Sequence, residues 1–224
     1  MIEIIATAPG TPHHAFTPEL RASLKRHLAA FEPIDPSDTD LPLAELRPAA
    51  VALTVVDTGD GTAALVLTRR APSLRAHSGQ WALPGGRLDD GEDPISAAVR
   101  ELHEEVGLDT APTEVLGELD VYPTRSGYSI TPVVVWGGAV ERLHPNPGEV
   151  ASIHLLPLGE LDRADSPEML AIPESPRPVI KLLIGDSNVH APTAAVIHQF
   201  HQVCLLGRTS TRVHHLEQPT WAWQ

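Results

Sequence analysis

Apolar residues near the start of the chain recur at helical spacing. Within residues 17–31, leucines and a phenylalanine return every three or four positions, which is typical of an amphipathic helix. Thr17 comes directly before Pro18, a pair that favours a helix N-terminus because the threonine hydroxyl caps free N–H groups and proline has none to satisfy. We therefore predict a helix over 17–31, followed by an irregular arm over 32–48 that is rich in proline and aspartate.

After residue 48 the pattern changes to short runs of β-branched and apolar residues. Residues 49–56 and 62–68 are two such runs, and the turn-forming segment 57–61 (DTGDG) separates them, which predicts a β-hairpin. The same pattern predicts further strands at 114–121, 130–136 and 150–156, and helices at 94–106, 158–164 and 193–205. Strands and helices interleave irregularly, so we expect a mixed α/β fold. We divide the chain into an N-terminal helix and arm, 1–48, and a main domain, 49–224.

Charge and composition narrow the class of protein. The formal net charge is −13, which argues against a broad nucleic-acid-binding face. No run of about 18 apolar residues is present, so we expect no membrane-spanning segment. A single cysteine, Cys204, excludes an intramolecular disulfide and fits a reducing, cytoplasmic setting.

Acidic residues are concentrated in the segment 85–108 (GGRLDDGEDPISAAVRELHEEVGL), which holds seven of the 29 in the chain. Asp93 followed by Pro94 is typical of a helix start, and Gly107 of a helix end. The segment therefore predicts a helix over 94–106.

Three glutamates of this helix, Glu101, Glu104 and Glu105, fall together on one flank at about 100° per residue. Like charges at this spacing repel one another, so a bound cation would stabilise them. Oxygen-only donors suit hard divalent ions such as Mg²⁺ or Mn²⁺. The alternative is a solvated acidic face. A separate apolar stripe is expected to pack on the domain: Ile95, Ala98, Val99, Leu102 and Val106.

The spacing of this segment carries a family resemblance. Gly86 is followed after five residues by Glu92, and after seven more by Arg100–Leu108 (RELHEEVGL). This pattern resembles the Nudix box at every fixed position. The resemblance implies an α/β fold, a Nudix-type α/β/α sandwich with a mixed β-sheet, and hydrolysis of a nucleoside diphosphate linked to another moiety.

The same resemblance implies roles for individual residues. Glu101, Glu104 and Glu105 are expected to bind Mg²⁺ or Mn²⁺, and Glu92 and Arg100 to orient them. The general base that accepts the proton of the attacking water is open between Glu104 inside the box and Glu149 outside it. Glu149 begins a predicted strand that resembles the one lending a further acid to the metal site in many Nudix proteins.

A basic stretch precedes the acidic one. Residues 61–88 contain four arginines (Arg69, Arg70, Arg75 and Arg87) and no acidic residue, and arginine forks suit phosphate oxygens. The alternative is a solvated strand edge, in a chain whose basic residues are almost all arginines. Within this stretch, residues 68–86 resemble the motif that precedes the box in the coenzyme A pyrophosphatase branch, although Val66 replaces the usual Leu and Leu83 the usual Phe.

That branch implies hydrolysis of CoA or acyl-CoA to 3′,5′-ADP and a 4′-phosphopantetheine product. Arg70, Arg75, Gly85, Gly86 and Arg87 are the expected substrate-binding residues. Residues 124–132 also resemble a segment that faces the site in this branch.

Two other functions remain open from the sequence: a Nudix hydrolase for a different nucleoside diphosphate derivative, such as ADP-ribose, a dinucleotide or an oxidised nucleotide, and a nucleotide-sensing Nudix module without turnover. The expected partner is a small CoA-like nucleotide, with a homodimer as the default assembly. Trp221 and Trp223 stand in the C-terminal tail, where they are expected to dock on the domain or on a second subunit.

Overall fold

The computed structural model describes residues 1–35, 43–71 and 80–223. Its α-helices are α1 (Pro18–Ala29), α2 (Pro94–Val106) and α3 (Thr193–Phe200). Its strands are β1 (Ile2–Ile4), β2 (Arg47–Asp57), β3 (Ala63–Arg70), β4 (Trp81–Ala82), β5 (Gly85–Arg87), β6 (Val115–Glu118), β7 (Tyr122–Pro123), β8 (Tyr128–Ala139), β9 (Val150–Pro157), β10 (Glu168–Ile172), β11 (Ser175–Ile184) and β12 (Ser187–His190).

The main sheet is mixed and runs in the order β1-β9-β3-β2-β8-β6. Its central strand β2 is parallel to β8 and antiparallel to β3, and β3 is in turn antiparallel to β9. The short strands β4, β5 and β7 pair with β3, β2 and β8. The expectation of a mixed sheet is confirmed.

Helices cover both faces of this sheet. One buried cluster joins residues of α1 and α3 to one face, and a second cluster joins α2 to the other. Within β2, for example, Leu53 and Val55 belong to the first cluster, whereas Ala52 and Val56 belong to the second, as expected for side chains that alternate across a strand. The predicted α/β/α sandwich is therefore confirmed.

The predicted hairpin joins β2 to β3. The Asp57 carboxylate accepts hydrogen bonds from the N–H groups of Gly59 (2.8 Å) and Gly61 (2.9 Å). Both glycines have positive φ angles, 99° and 86°, a backbone conformation that residues with a side chain rarely adopt. The two strands then pair from Val55 with Leu65 onward.

The N-terminal helix also forms as predicted. The Thr17 hydroxyl accepts a hydrogen bond from the N–H of Leu20 (3.3 Å), and Leu24 and Leu28 are buried. Strand β1, which the sequence analysis missed, adds in parallel to β9 at the edge of the main sheet. Residues 36–42 of the predicted arm lie outside the described residues, and the division of the chain at residue 48 stays a prediction.

Several predicted elements have different bounds. The helix predicted at 158–164 is a shorter 3₁₀-helix, Leu158–Asp162, whose Glu160 carboxylate accepts hydrogen bonds from the N–H of Ala8 and from Arg163. The last predicted helix is α-helical to Phe200 and continues as a π-helix, His201–Leu205.

A small antiparallel sheet, β10-β11-β12, was not predicted. Two prolines and an arginine near the start of β11 interrupt its strand pattern, and proline removes a ladder hydrogen bond. In the described part of the chain, no helix is long and apolar enough to cross a membrane.

Candidate active site

The acidic helix α2 begins and ends where the sequence predicts. The Asp93 side chain accepts a hydrogen bond from the N–H of Ser96 (2.9 Å), and Pro94 is the first helical residue. At the other end, Gly107 adopts φ 68° and donates its N–H to the carbonyl of His103 (2.9 Å). These two ends fix which residues of α2 face the sheet.

The faces of α2 differ in part from the expectation. Ala98, Leu102 and Val106 are fully buried as predicted, but Ile95 in the first turn is 37% exposed. Glu105, expected on a separate flank, is only 5% exposed. It lies about 60° from Leu102 around the helix axis, so it belongs to the packed face.

Arg100 connects the glutamates of the segment. Its Nε and Nη2 donate to the two carboxylate oxygens of Glu92, both at 3.0 Å, and its Nη1 donates to Glu101 (2.8 Å) and Glu104 (3.2 Å). Nη2 also donates to the carbonyl of Arg87 (3.0 Å). One guanidinium thus limits the rotamers of three carboxylates, which is the geometry an orienting role requires.

Burial and like charge act together on this cluster. Burial, reinforced by Glu101 and Glu149 and opposed by Arg70, raises the pKa of Glu105 to about 8. Burial also raises the pKa of Glu101, although the hydrogen bond from Arg100 opposes the change. Without a cation, the site therefore disfavours full ionisation of its carboxylates.

Glu149 and Arg70 reach this cluster through the pairing of β3 with β9. Arg70 is opposite Val150 in that pairing, and the carbonyl of Glu149 accepts a hydrogen bond from the N–H of Ala71 (2.8 Å). Both side chains then act electrostatically on Glu105. Arg75, predicted beside them, lies outside the described residues.

The two glycines before the acidic helix leave room that a side chain would fill. A Cβ atom on Gly86 would stand 2.1 Å from Oε1 of Glu101, and one on Gly85 would stand 2.4 Å from the carbonyl oxygen of Ala50. Gly85 also acts on Glu105, because its backbone N–H opposes the rise in the pKa of that carboxyl. The glycines thus bring the backbone of β5 directly against the carboxylates.

Arg87 contacts Tyr128, the first residue of β8. Its Nε donates to the hydroxyl of Tyr128 (3.0 Å), and its side chain is exposed. Tyr128 belongs to the segment 124–132, from which Thr124, Ser126 and Ile130 also line a cavity beside the site.

Sequence reasoning missed the opposite wall of that cavity, which comes from the C-terminal part of the chain. His190 of β12 and Trp221 both line it, with their rings at right angles and 5.8 Å between centroids. Trp223 lies under the guanidinium of Arg125, 4.6 Å from ring centroid to Cζ. The tail therefore packs on its own domain, which is one of the two expected arrangements. The only sequence feature that pointed to this wall was the presence of two tryptophans in the tail.

The donor set fits a hard divalent cation. Glu101, Glu104, Glu105 and Glu149 offer only oxygen atoms, and the raised pKa values of Glu101 and Glu105 mark a site short of positive charge. Within the described residues, no three acidic or histidine side chains already surround one point. Binding would therefore require carboxylates held by Arg100 to rotate toward the ion.

Comparisons with known proteins place these features in a family. Residues 45–179 match the NUDIX domain. The chain is 41% identical over 120 residues to an uncharacterized Nudix hydrolase, NudL, of Pectobacterium atrosepticum, covering 53% of this chain and 62% of the relative. It is 43% identical over 115 residues to the NudL of Photorhabdus laumondii, covering 51% and 60%. The chain thus spans about 60% of the length of these curated relatives.

Solved structures are more distant. A Nudix hydrolase from M. smegmatis, RenU, is 29% identical with a TM-score of 0.39, covering 52% of this chain and 73% of that one. A MutT/nudix family protein from Enterococcus faecalis is 16% identical with a TM-score of 0.43, covering 79% and 64%.

Proposed function

The chain belongs to the NUDIX domain family, and from this premise we propose that it is a pyrophosphohydrolase that cleaves CoA or acyl-CoA with a divalent metal ion. The products are 3′,5′-ADP and (acyl-)4′-phosphopantetheine. One observation carries the hydrolase part of the proposal: Glu105 is only 5% exposed and lies beside Glu101 and Glu149, and burial raises the pKa of both Glu101 and Glu105.

The glutamates of α2 are the proposed metal ligands. Glu101, Glu104 and Glu105 would hold Mg²⁺ or Mn²⁺, which polarises the pyrophosphate and activates a bound water. Arg100 and Glu92 act as positioning residues, because the paired hydrogen bonds between them fix the guanidinium that holds Glu101 and Glu104.

Glu149 is the favoured general base of the two candidates. Arg100 already donates to an oxygen of Glu104 (3.2 Å), whereas the side chain of Glu149 is exposed to solvent. An exposed carboxylate beside Glu101 and Glu105 is able to accept the proton of an attacking water and release it to solvent.

The substrate assignment rests on the resemblance of residues 68–86 to the coenzyme A pyrophosphatase branch and on the position of Arg70. Arg70 adjoins the carboxylate cluster, so its guanidinium is placed to bind a phosphate held at the metal. CoA carries a 3′-phosphate besides its pyrophosphate, and Arg75 is the proposed second contact. Gly85, Gly86 and Arg87 complete the proposed binding residues.

A substrate panel tests the proposal. The purified protein is incubated with Mg²⁺ or Mn²⁺ and CoA, an acyl-CoA, dephospho-CoA, ADP-ribose or a dinucleotide, and products are separated by chromatography. We expect 3′,5′-ADP from CoA and no product without metal. Cleavage of ADP-ribose but not CoA would overturn the substrate assignment, and binding without cleavage of any compound would overturn the enzymatic one.

A paired substitution tests the arginines. Arg70→Ala combined with Arg75→Ala is expected to raise KM for CoA more than KM for dephospho-CoA, because only CoA offers the additional phosphate. Arg208→Ala, on an exposed residue at the far end of the chain, is the matched control. Equal increases for both substrates contradict the assignment of these arginines.

A further inference from the structure

A cavity of about 500 Å³ adjoins the candidate active site. Arg70 and Gly85 contribute to its lining, and both also oppose the rise in the pKa of Glu105. The cavity therefore lies next to the carboxylate cluster.

One wall of the cavity lies outside residues 45–179, the part of the chain that matches the family. Residues 188–193 and Trp221 form this C-terminal wall. The tail segment that leads to Trp221 is bonded to residues beside the main sheet: the Tyr122 hydroxyl donates to the carbonyl of Leu216 (3.0 Å), and the side chain of Gln218 accepts a hydrogen bond from the N–H of Arg125 (2.5 Å). These bonds hold the Trp221 side of the cavity against the domain.

The chemistry of the cavity defines what it accepts. Aliphatic side chains form much of its lining, among them Val51, Leu83 and Val196. Polar side chains stand among them, including Thr124 and Gln218. These features suit an extended, mainly apolar group that carries a few polar atoms.

Of the two halves of CoA, only one has this chemistry. The pantetheine arm is a flexible chain with two amides, which a thioester-linked acyl chain extends, whereas the other half carries several phosphate charges. We propose, in an inference that rests on the proposed function, that the C-terminal wall binds the pantetheine arm and its acyl chain, with Trp221 as a specificity-determining contact. The adenosine half then lies outside this cavity.

Binding of the two products separates the halves without depending on turnover. The affinities of 3′,5′-ADP and of an acyl-4′-phosphopantetheine are measured by calorimetry in Mg²⁺ with the wild type and with Trp221→Ala. Trp221 is 57% exposed, so its removal should leave the fold intact. We expect acyl-phosphopantetheine to bind about tenfold more weakly, a typical loss for an aromatic contact, with 3′,5′-ADP unchanged.

Matched variants complete the experiment. Trp221→Phe keeps a ring and should retain most of the affinity, while Met169→Ala removes an exposed apolar side chain on β10 that does not line the cavity and should change neither affinity. Thr193→Trp places a bulky side chain in the cavity and should weaken the binding of acyl-phosphopantetheine without changing that of 3′,5′-ADP.

The outcomes distinguish this inference from the proposed function. If the wild type does not hydrolyse CoA, the proposed function has failed. If it does, a selective loss of 3′,5′-ADP binding in Trp221→Ala, an equal loss of both products, or no loss at all overturns the assignment of the wall.

Discussion

Among single residues, Glu105 combines a position on the packed face of α2 with a carboxylate group. It is 5% exposed and has Glu101 and Glu149 as electrostatic neighbours. Burying a carboxylate at such a position lowers the stability of the folded protein unless a cation is bound nearby. The residue proposed to bind metal is therefore also one that lowers the stability of the metal-free protein.

Glu105→Gln tests both consequences. Hydrolysis should fall by at least about 100-fold, since even groups that only orient metal ligands are worth about 10–100-fold. In the metal-free protein the same change should raise the unfolding temperature, because an amide is cheaper to bury than a carboxylate. Steady-state kinetics and thermal unfolding with and without Mg²⁺ measure the two effects; full activity in the variant would exclude Glu105 from the metal site.

Arg100 depends on its shape as well as its charge. Lysine would keep the charge but lose the paired bonds to Glu92 and the simultaneous contact with Glu101. Arg100→Lys is expected to lower kcat/KM about 10–100-fold with little change in unfolding temperature. Arg208→Lys is the control at an exposed arginine, and activity within twofold of wild type in Arg100→Lys would contradict the positioning role.

At the scale of elements, strand β5 contains two adjacent glycines, and each is required for a different reason. A Cβ on Gly85 would meet the backbone of β2, whereas a Cβ on Gly86 would meet the carboxylate of Glu101. A strand backbone cannot yield without loss of pairing, but a side chain can rotate. A change from glycine to alanine should therefore mainly affect stability at Gly85 and mainly affect activity at Gly86.

Gly85→Ala is expected to lower the free energy of unfolding by about 1–3 kcal/mol, the usual cost of overpacking. Gly86→Ala should leave stability closer to wild type but reduce activity, because Glu101 must move away from Arg100. Chemical denaturation and kinetics on both variants test the contrast. Similar losses of stability in both would show that Glu101 does not absorb the added methyl group.

Elements with local signals were predictable from the sequence. Asp93, Pro94 and Gly107 specify the ends of α2 through capping and backbone preference, so its bounds were found. The position of Glu105 was not, because helical periodicity gives an angle but does not say how far the sheet extends beneath it. Strands β10, β11 and β12 were missed because prolines and charged residues hide their alternation.

At the scale of the whole molecule, the site depends on pairing between distant segments. Arg70 and Glu149 meet through the register of β3 with β9, and no local pattern encodes that register. The family resemblance supplied Glu149 as a candidate; residues alone did not. The C-terminal wall was beyond prediction for the same reason, since Trp221 and His190 approach the site only through tertiary packing.

Glu217 holds the C-terminal part of the chain to the rest. Its carboxylate accepts hydrogen bonds from Arg125 (2.6 Å), Arg177 (2.7 Å) and Ser175 (3.0 Å). Burial opposes ionisation of Glu217, but the bonds from Arg125 and Arg177 outweigh it and lower the pKa to about 2 from an ordinary value of 4.5. The stabilisation is thus complete above about pH 4.5 and is lost as pH falls toward 2.

Glu217→Gln should therefore lower the free energy of unfolding at pH 7 by roughly 1–3 kcal/mol, as for other hydrogen bonds to charged groups. The difference from wild type should shrink between pH 5 and pH 2. Denaturant unfolding followed by circular dichroism at several pH values measures this, with the exposed neighbour Glu174→Gln as control. A difference that stays constant down to pH 2 would rule out the carboxylate as its source.

The two buried clusters on opposite faces of the sheet also have a consequence for protein engineering. Helix α2, with the glutamates proposed to bind metal, packs into one cluster, and the C-terminal segment packs into the other. A library that randomises the C-terminal wall would therefore leave the packing of α2 untouched. On the proposed roles, variants of the wall would change substrate preference and leave the carboxylates of α2 in place, so that new specificities would evolve without rebuilding the site on that helix.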